Sequence, residues 1–286
     1  MKVICKRPTE LFGYDCDEYL DDNAFKLAIK QQYCKYLKNT CVKPRKSEPS
    51  VKVGICSIGA TLGTKEIRPV IICPQRFKED TVFEAVRQKY LSDWENVKWI
   101  PEVNIGVGGS IDYVAVEIDK KGDVKDFLCV ELQAAGTTGS PYPAVKEIKT
   151  NGCFKAESYN YGINWANEFS KTMMQQAYKK GKILDSWHRK IVFVVQDLAI
   201  EYLQSATDCS LLTKSNKDLP VDFCTFKLIW NDNKSWKLAF NKIFSTSIDG
   251  INLMLGGASV NEYLTEEEFI ANIIKKGIAD GILSKK

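Results

Sequence analysis

The sequence predicts an α/β protein, a mixed central sheet flanked by helices with a small cysteine-rich module at the N-terminal end. Three observations predict it. First, residues 113–118 and 127–130 are rich in β-branched and apolar side chains and enclose the turn-forming Lys120, Lys121, Gly122 and Asp123, the pattern of a β-hairpin. Second, apolar residues recur at helical spacing from Asn164 to Leu184, and a strand-length apolar run, Ile191 to Val195, follows. Third, Cys34, Cys41, Cys56 and Cys73 are interspersed with Pro44, Pro49, Pro69 and Pro74.

Taken in order, residues 1–80 read as an irregular, metal-clipped module with one helix over 21–36. A helix is expected over 81–94, with Val82, Phe83, Val86, Tyr90 and Leu91 at helical spacing and acids early. Short strands follow over 97–105, then the hairpin. Residues 136–143 carry Gly136, Gly139, Pro141 and Pro143 and read as a mobile or ligand-contacting loop. In the long helix Phe169, Met173, Ala177 and Leu184 hold core spacing, while Lys171, Gln175, Lys179 and Lys182 fall largely elsewhere. Residues 223–230 and 236–245 read as a β pair around an Asn231–Lys234 turn. A terminal helix is expected over 265–282, with Thr265 and Glu268 in capping-box positions. The expected division is a module over 1–80 and a larger domain over 81–286.

The totals exclude several classes. Hydrophobic content of 44% and charged content of 27% are ordinary for a globular protein. No apolar run approaches the roughly 20 residues of a membrane span, and the first residues lack the apolar core of a signal peptide, so a cytoplasmic location is expected. A net charge of +4 permits a polyanionic partner without demanding one.

The hairpin carries the chemistry. Asp112 opens its first strand; Glu131 lies near the end of the second, and Gln133 follows two residues later on the same face. Neighbouring strands lie about 5 Å apart, so the two carboxylates can share one hard cation. Mg²⁺ takes one or two carboxylates and completes its shell with waters and phosphate oxygens, an arrangement suited to metal-activated water attack on a phosphodiester. Gln133 would orient that water, since an amide does not titrate. The same spacing also fits Asp112 as a turn residue and Glu131 as a partly exposed strand acid.

Ten cysteines is a high count for a reducing compartment, where thiols or metal ligands are expected rather than disulfides. Cys34, Cys41, Cys56 and Cys73 each stand within two residues of Lys, Pro, Gly or Asn, where thiolates can converge and backbone N–H groups can reach sulfur. A Cys₄ site would hold zinc or iron; small buried hydrophobes are the alternative.

Helix, strands with paired acids, long helix and strand is the order of a PD-(D/E)XK nuclease core, with Gln133 standing where a Glu-x-Lys motif has its lysine. The chain resembles the NotI-type family of restriction endonucleases over its N-terminal three-fifths. The resemblance rests on the four-cysteine string, on Ile111-Asp112 followed by Val130-Glu131-Leu132-Gln133, and on Lys171, Thr172, Gln175, Ala177 and Tyr178 of the following helix. It implies a homodimeric, Mg²⁺-dependent type II enzyme that cuts both strands of DNA at a short palindrome, alongside a partner DNA methyltransferase. It also implies a structural Cys₄ site, iron rather than zinc on the resemblance alone, with Cys34 the least certain ligand. Lys171 and Gln175 are the candidate DNA contacts on the helix. Two other readings stay open: an iron–sulfur or zinc-containing DNA repair nuclease of the same fold, and a non-catalytic DNA-binding module.

Overall fold

The computed structural model of the protein describes residues 3–19, 21–63, 66–106, 109–256 and 266–279. Residues up to Gly256 form one compact unit and residues 257–286 another. The first unit opens with β1 (Pro8–Leu11), β2 (Tyr14–Asp15), α1 (Asn23–Gln31) and the short strands β3 (Tyr33–Cys34), β4 (Asn39–Thr40), β5 (Pro44–Arg45) and β6 (Glu48–Lys52). With β7 (Ile55–Ala60) and β8 (Arg68–Ile71) the chain completes a sheet in the order β2-β1-β7-β8. This region is more regular than its prolines suggested. Pro69 lies in β8, at the edge of the sheet, where a missing N–H costs no ladder bond. α1 is shorter than expected because Asp22 caps its start, accepting from Ala24 N and Phe25 N, and Gln32 turns into the left-handed region at its end.

A 3₁₀ turn (Pro74–Lys78) leads to α2 (Asp80–Tyr90), β9 (Val97–Asn104), β10 (Ser110–Ile118) and β11 (Val124–Gln133). Next come α3 (Tyr142–Asn151), a π-helical segment (Ala166–Met173) continuing directly into α4 (Met174–Ser186), β12 (Ile191–Gln196) and α5 (Asp197–Ala206). The unit ends with β13 (Thr213–Lys214), β14 (Val221–Trp230), β15 (Trp236–Thr246) and α6 (Ile248–Met254). In the second unit α7 (Glu266–Ala279) is described; the expected cap residue Thr265 and the side chain of Glu268 lie outside the described residues.

The result is a mixed seven-stranded sheet, β13-β15-β14-β12-β11-β10-β9, with helices on both faces. β11, β12 and β14 run parallel, and the remaining pairs are antiparallel. Every residue of the central β12 is buried, as a parallel strand covered on both faces requires. Alternation along the strands divides the core. Val114, Val116, Cys129, Phe193 and Val195 pack with the π segment, α4 and α5; Ala115, Leu128, Val130 and Val194 pack with α2 on the other face.

Polar clamps join the N-terminal sheet to this one. Gln196, at the end of β12, accepts from Ile71 N at 2.9 Å and donates to the Pro69 carbonyl at 2.7 Å. The fully buried Arg76 guanidinium donates to Glu10 at 3.1 Å, to Glu79 at 2.6 Å and to the Trp236 carbonyl at 2.9 Å. Stripping one partner from such a buried pair costs about 3–5 kcal/mol.

Candidate active site

β10 and β11 pair antiparallel with Tyr113 opposite Val130 and Val114 opposite Cys129. That register, with period-two alternation, turns Asp112, Glu131 and Gln133 to the face covered by α4. They meet in a cleft of about 690 Å³. Its floor is Ser110, Asp112 and Glu131 to Gln133; one wall is Thr172, Gln175, Gln176, Lys179 and Lys180, and the other holds Pro74, Gln75 and Lys78. Asp112 Oδ2 accepts the Leu132 N–H at 2.8 Å, which locks its carboxylate against β11.

Glu131 is 5% exposed. Burial pushes its carboxyl up to about 7; the Asp112 charge adds to the rise, while Lys180 and the Asp112 backbone N–H oppose it. Two adjoining carboxylates of hard oxygen fit a divalent cation such as Mg²⁺. Gln133 donates one of its two amide N–H groups to the Ala134 carbonyl at 3.0 Å, and Oε1 remains as an acceptor it can offer the cleft.

Cys34, Cys41, Cys56 and Cys73 are all buried free thiols. They lie within electrostatic reach of one another: burial raises the Cys56 thiol, Cys73 and Cys34 adding to the effect, and burial likewise raises Cys73, Cys41 and Cys34 adding to it. Burial also raises Cys34, but the Leu37 and Tyr36 N–H groups hydrogen-bond its sulfur and oppose the shift; the Gln75 N–H does the same for Cys73. Four buried thiols, two of them with amide donors aimed at sulfur, fit a borderline or soft metal. Among the described residues no group of three or more His, Cys, Asp or Glu stands at metal-holding spacing, so such a centre requires the four sulfurs to draw inward.

The family model described as Restriction endonuclease NotI matches residues 30–220. The chain belongs to this NotI restriction endonuclease family. The match starts ahead of Cys34 and runs beyond β12 and α5, further along the chain than the motifs that suggested it. The protein is therefore a nuclease that acts on DNA. No curated protein and no solved structure matches the chain. Among the described residues no helix is long and apolar enough to cross a membrane.

Of the two helix residues singled out as DNA contacts, Gln175 lines the cleft and Lys171 does not. The loop over residues 136–143 lies beside β5, Arg45 stacking 4.2 Å from the Tyr142 ring centre. The Asn231–Lys234 turn is tied elsewhere, Lys234 pairing with Glu18 at 2.5 Å.

Glu102 and Lys180 are among the cleft residues that escaped the sequence reading. Glu102 lines the cleft with its backbone in the left-handed region, φ 54°, an uncommon conformation for a side-chain-bearing residue within a strand. Lys180 is 4% exposed, and Nζ donates to Glu131 Oε1 at 2.7 Å and to the Ser110 carbonyl at 2.8 Å. Its signal was its position on the apolar stripe, three residues after Ala177 and four before Leu184, where a lysine needs a buried partner.

Proposed function

We propose that this NotI-family nuclease is a type II restriction endonuclease with a PD-(D/E)XK core, making Mg²⁺-dependent double-strand cuts at a short palindromic site. The observation that carries the reading is the facing pair Asp112 and Glu131 on the floor of a cleft whose walls bear Lys78, Lys179 and Lys180. Asp112 and Glu131 would hold the cation. When bound, it supplies Lewis-acid activation of a water and neutralises charge on the scissile phosphate. Gln133 Oε1 would accept from that water and fix its approach, and Lys78 and Lys179 draw the DNA backbone in by charge. Gln175 and, further out, Lys171 would contact phosphates. Cys34, Cys41, Cys56 and Cys73 would hold one structural iron or zinc in a module over 1–80, beside the nuclease domain from 81 onward. A homodimer matches the two-fold symmetry of a palindrome. Such an enzyme works in the cytoplasm beside a methyltransferase that protects its own site.

The test is digestion of unmodified genomic DNA by the purified full chain with Mg²⁺, followed by mapping of the ends. Discrete fragments sharing one end sequence are expected. A smear with random ends would reject the site-specific reading and favour a repair-type nuclease; no cleavage would reject the enzyme assignment.

The raised Glu131 sets a pH dependence. A carboxyl titrating near 7 must lose its proton to accept a cation, and deprotonation is favoured on the alkaline side. Divalent-cation affinity of DNA-free protein is therefore expected to rise about tenfold between pH 6 and pH 8. Calorimetric titration with Ca²⁺ at both values checks it; equal affinities would remove Glu131 from the cation site.

A further inference from the structure

We propose that Lys180, reaching in from α4, is a catalytic residue of this site and supplies the positive charge that the amide at position 133 cannot. This rests on the nuclease reading above. The charge on a phosphoryl group under attack spreads over its non-bridging oxygens, and a preorganised cation in a water-poor site stabilises it far more than one in bulk solvent. Gln133 brings no charge, and one of its two amide N–H groups is committed to the Ala134 carbonyl. The Lys180 ammonium is held by Glu131 Oε1 at 2.7 Å and by the Ser110 carbonyl at 2.8 Å. Its third N–H has only the longer 3.3 Å contact to Gln176 Oε1, a side chain that also lines the cleft. That N–H is the one a phosphate oxygen can take over.

The local structure is built to bring the lysine there. Gly181, next to Lys180, lies where an added Cβ would stand 2.8 Å from Val221 Cγ2, so the missing side chain lets α4 settle directly on the sheet at the start of β14. Energetics favour function over packing. A buried ion pair is weak evidence for stability, because apolar residues of similar volume serve a core as well or better. A buried, paired lysine in a polar cleft is the arrangement expected of a working site. Lys180 acts by charge and hydrogen bonding. The water oxygen bonds to phosphorus as its proton passes to solvent, and the bond from phosphorus to the sugar oxygen breaks with its electron pair on that oxygen, which takes a proton from solvent.

The experiment compares wild type, Lys180→Met, Lys180→Gln and Asp112→Ala as full chains, on a plasmid carrying a genomic fragment that the wild type cuts. Single-turnover cleavage with Mg²⁺, DNA affinity with Ca²⁺ and thermal melting are measured together. The expected result is that both lysine variants cleave about 100-fold more slowly or worse, with DNA affinity within threefold of wild type. Lys180→Met leaves Glu131 without its partner and can unfold; Lys180→Gln retains hydrogen bonding without charge and then decides. Folded Lys180→Gln cutting within tenfold of wild type overturns the assignment, as does a loss of DNA affinity that accounts for the slower cutting. Unfolding of both variants makes the pair structural and overturns it too. If instead Asp112→Ala cuts like wild type, or wild type cuts nothing, it is the nuclease site itself that fails.

Discussion

Asp112→Ala is expected to give a folded chain that binds DNA and does not cut it. One carboxylate of the proposed two-carboxylate cation site is removed, and such an ion contributes several kcal/mol to the transition state. A loss of about 4 kcal/mol slows the reaction by roughly a thousandfold. Folding is spared more readily here than at Glu131, because the Asp112 carboxylate accepts one backbone N–H, from Leu132, and losing that partner costs about 1–3 kcal/mol. Glu131→Ala is a poorer test, since it strands the buried Lys180 ammonium and costs about 3–5 kcal/mol. Glu131→Gln keeps the shape and an acceptor for Lys180, and the same loss of cleavage is expected. Single-turnover assays with Mg²⁺ beside Ca²⁺-supported DNA binding separate chemistry from affinity. Normal cutting by either variant removes that residue from the site.

Cys56→Ser is expected to release the structural metal and loosen the N-terminal sheet. Cys56 lies in β7, a fully buried strand that pairs with both β1 and β8, so its loss is felt across three strands. Losing a structural metal is among the few single changes that cost about 4 kcal/mol or more. At roughly 2–4 °C per kcal/mol for a chain of this size, Tm falls by about 10 °C. Elemental analysis of wild type and variant decides the matter. One iron or zinc per chain in wild type and none in the variant is the expected pair of values; an unchanged metal content removes Cys56 from the ligand set.

The core hairpin was legible because its signals are local. Alternation in 110–133 gave both strands, and the turn residues gave the register that brings Asp112 beside Glu131. The β14–β15 pair around Asn231–Lys234 was legible for the same reason. α5 was missed although Asp197 opens it, because its ten residues follow the apolar β12 without a break. α3 was hidden behind Pro141 and Pro143, which read as loop residues yet fit the first turn of a helix. Lys180 meets Glu131 across 49 positions, a contact set by how α4 lies on the sheet rather than by any spacing. The helix itself was anticipated from Asn164, but its first eight residues wind as a π-helix, a feature no apolar repeat announces.

Only two peptide links separate Cys73, whose sulfur takes the Gln75 amide hydrogen, from the Gln75 side chain on the bank of the cleft. The thiol cluster and the cleft are thus consecutive stitches in one seam. Oxidation or alkylation of that sulfur would tug directly on the groove's edge, without any distant relay through the sheet.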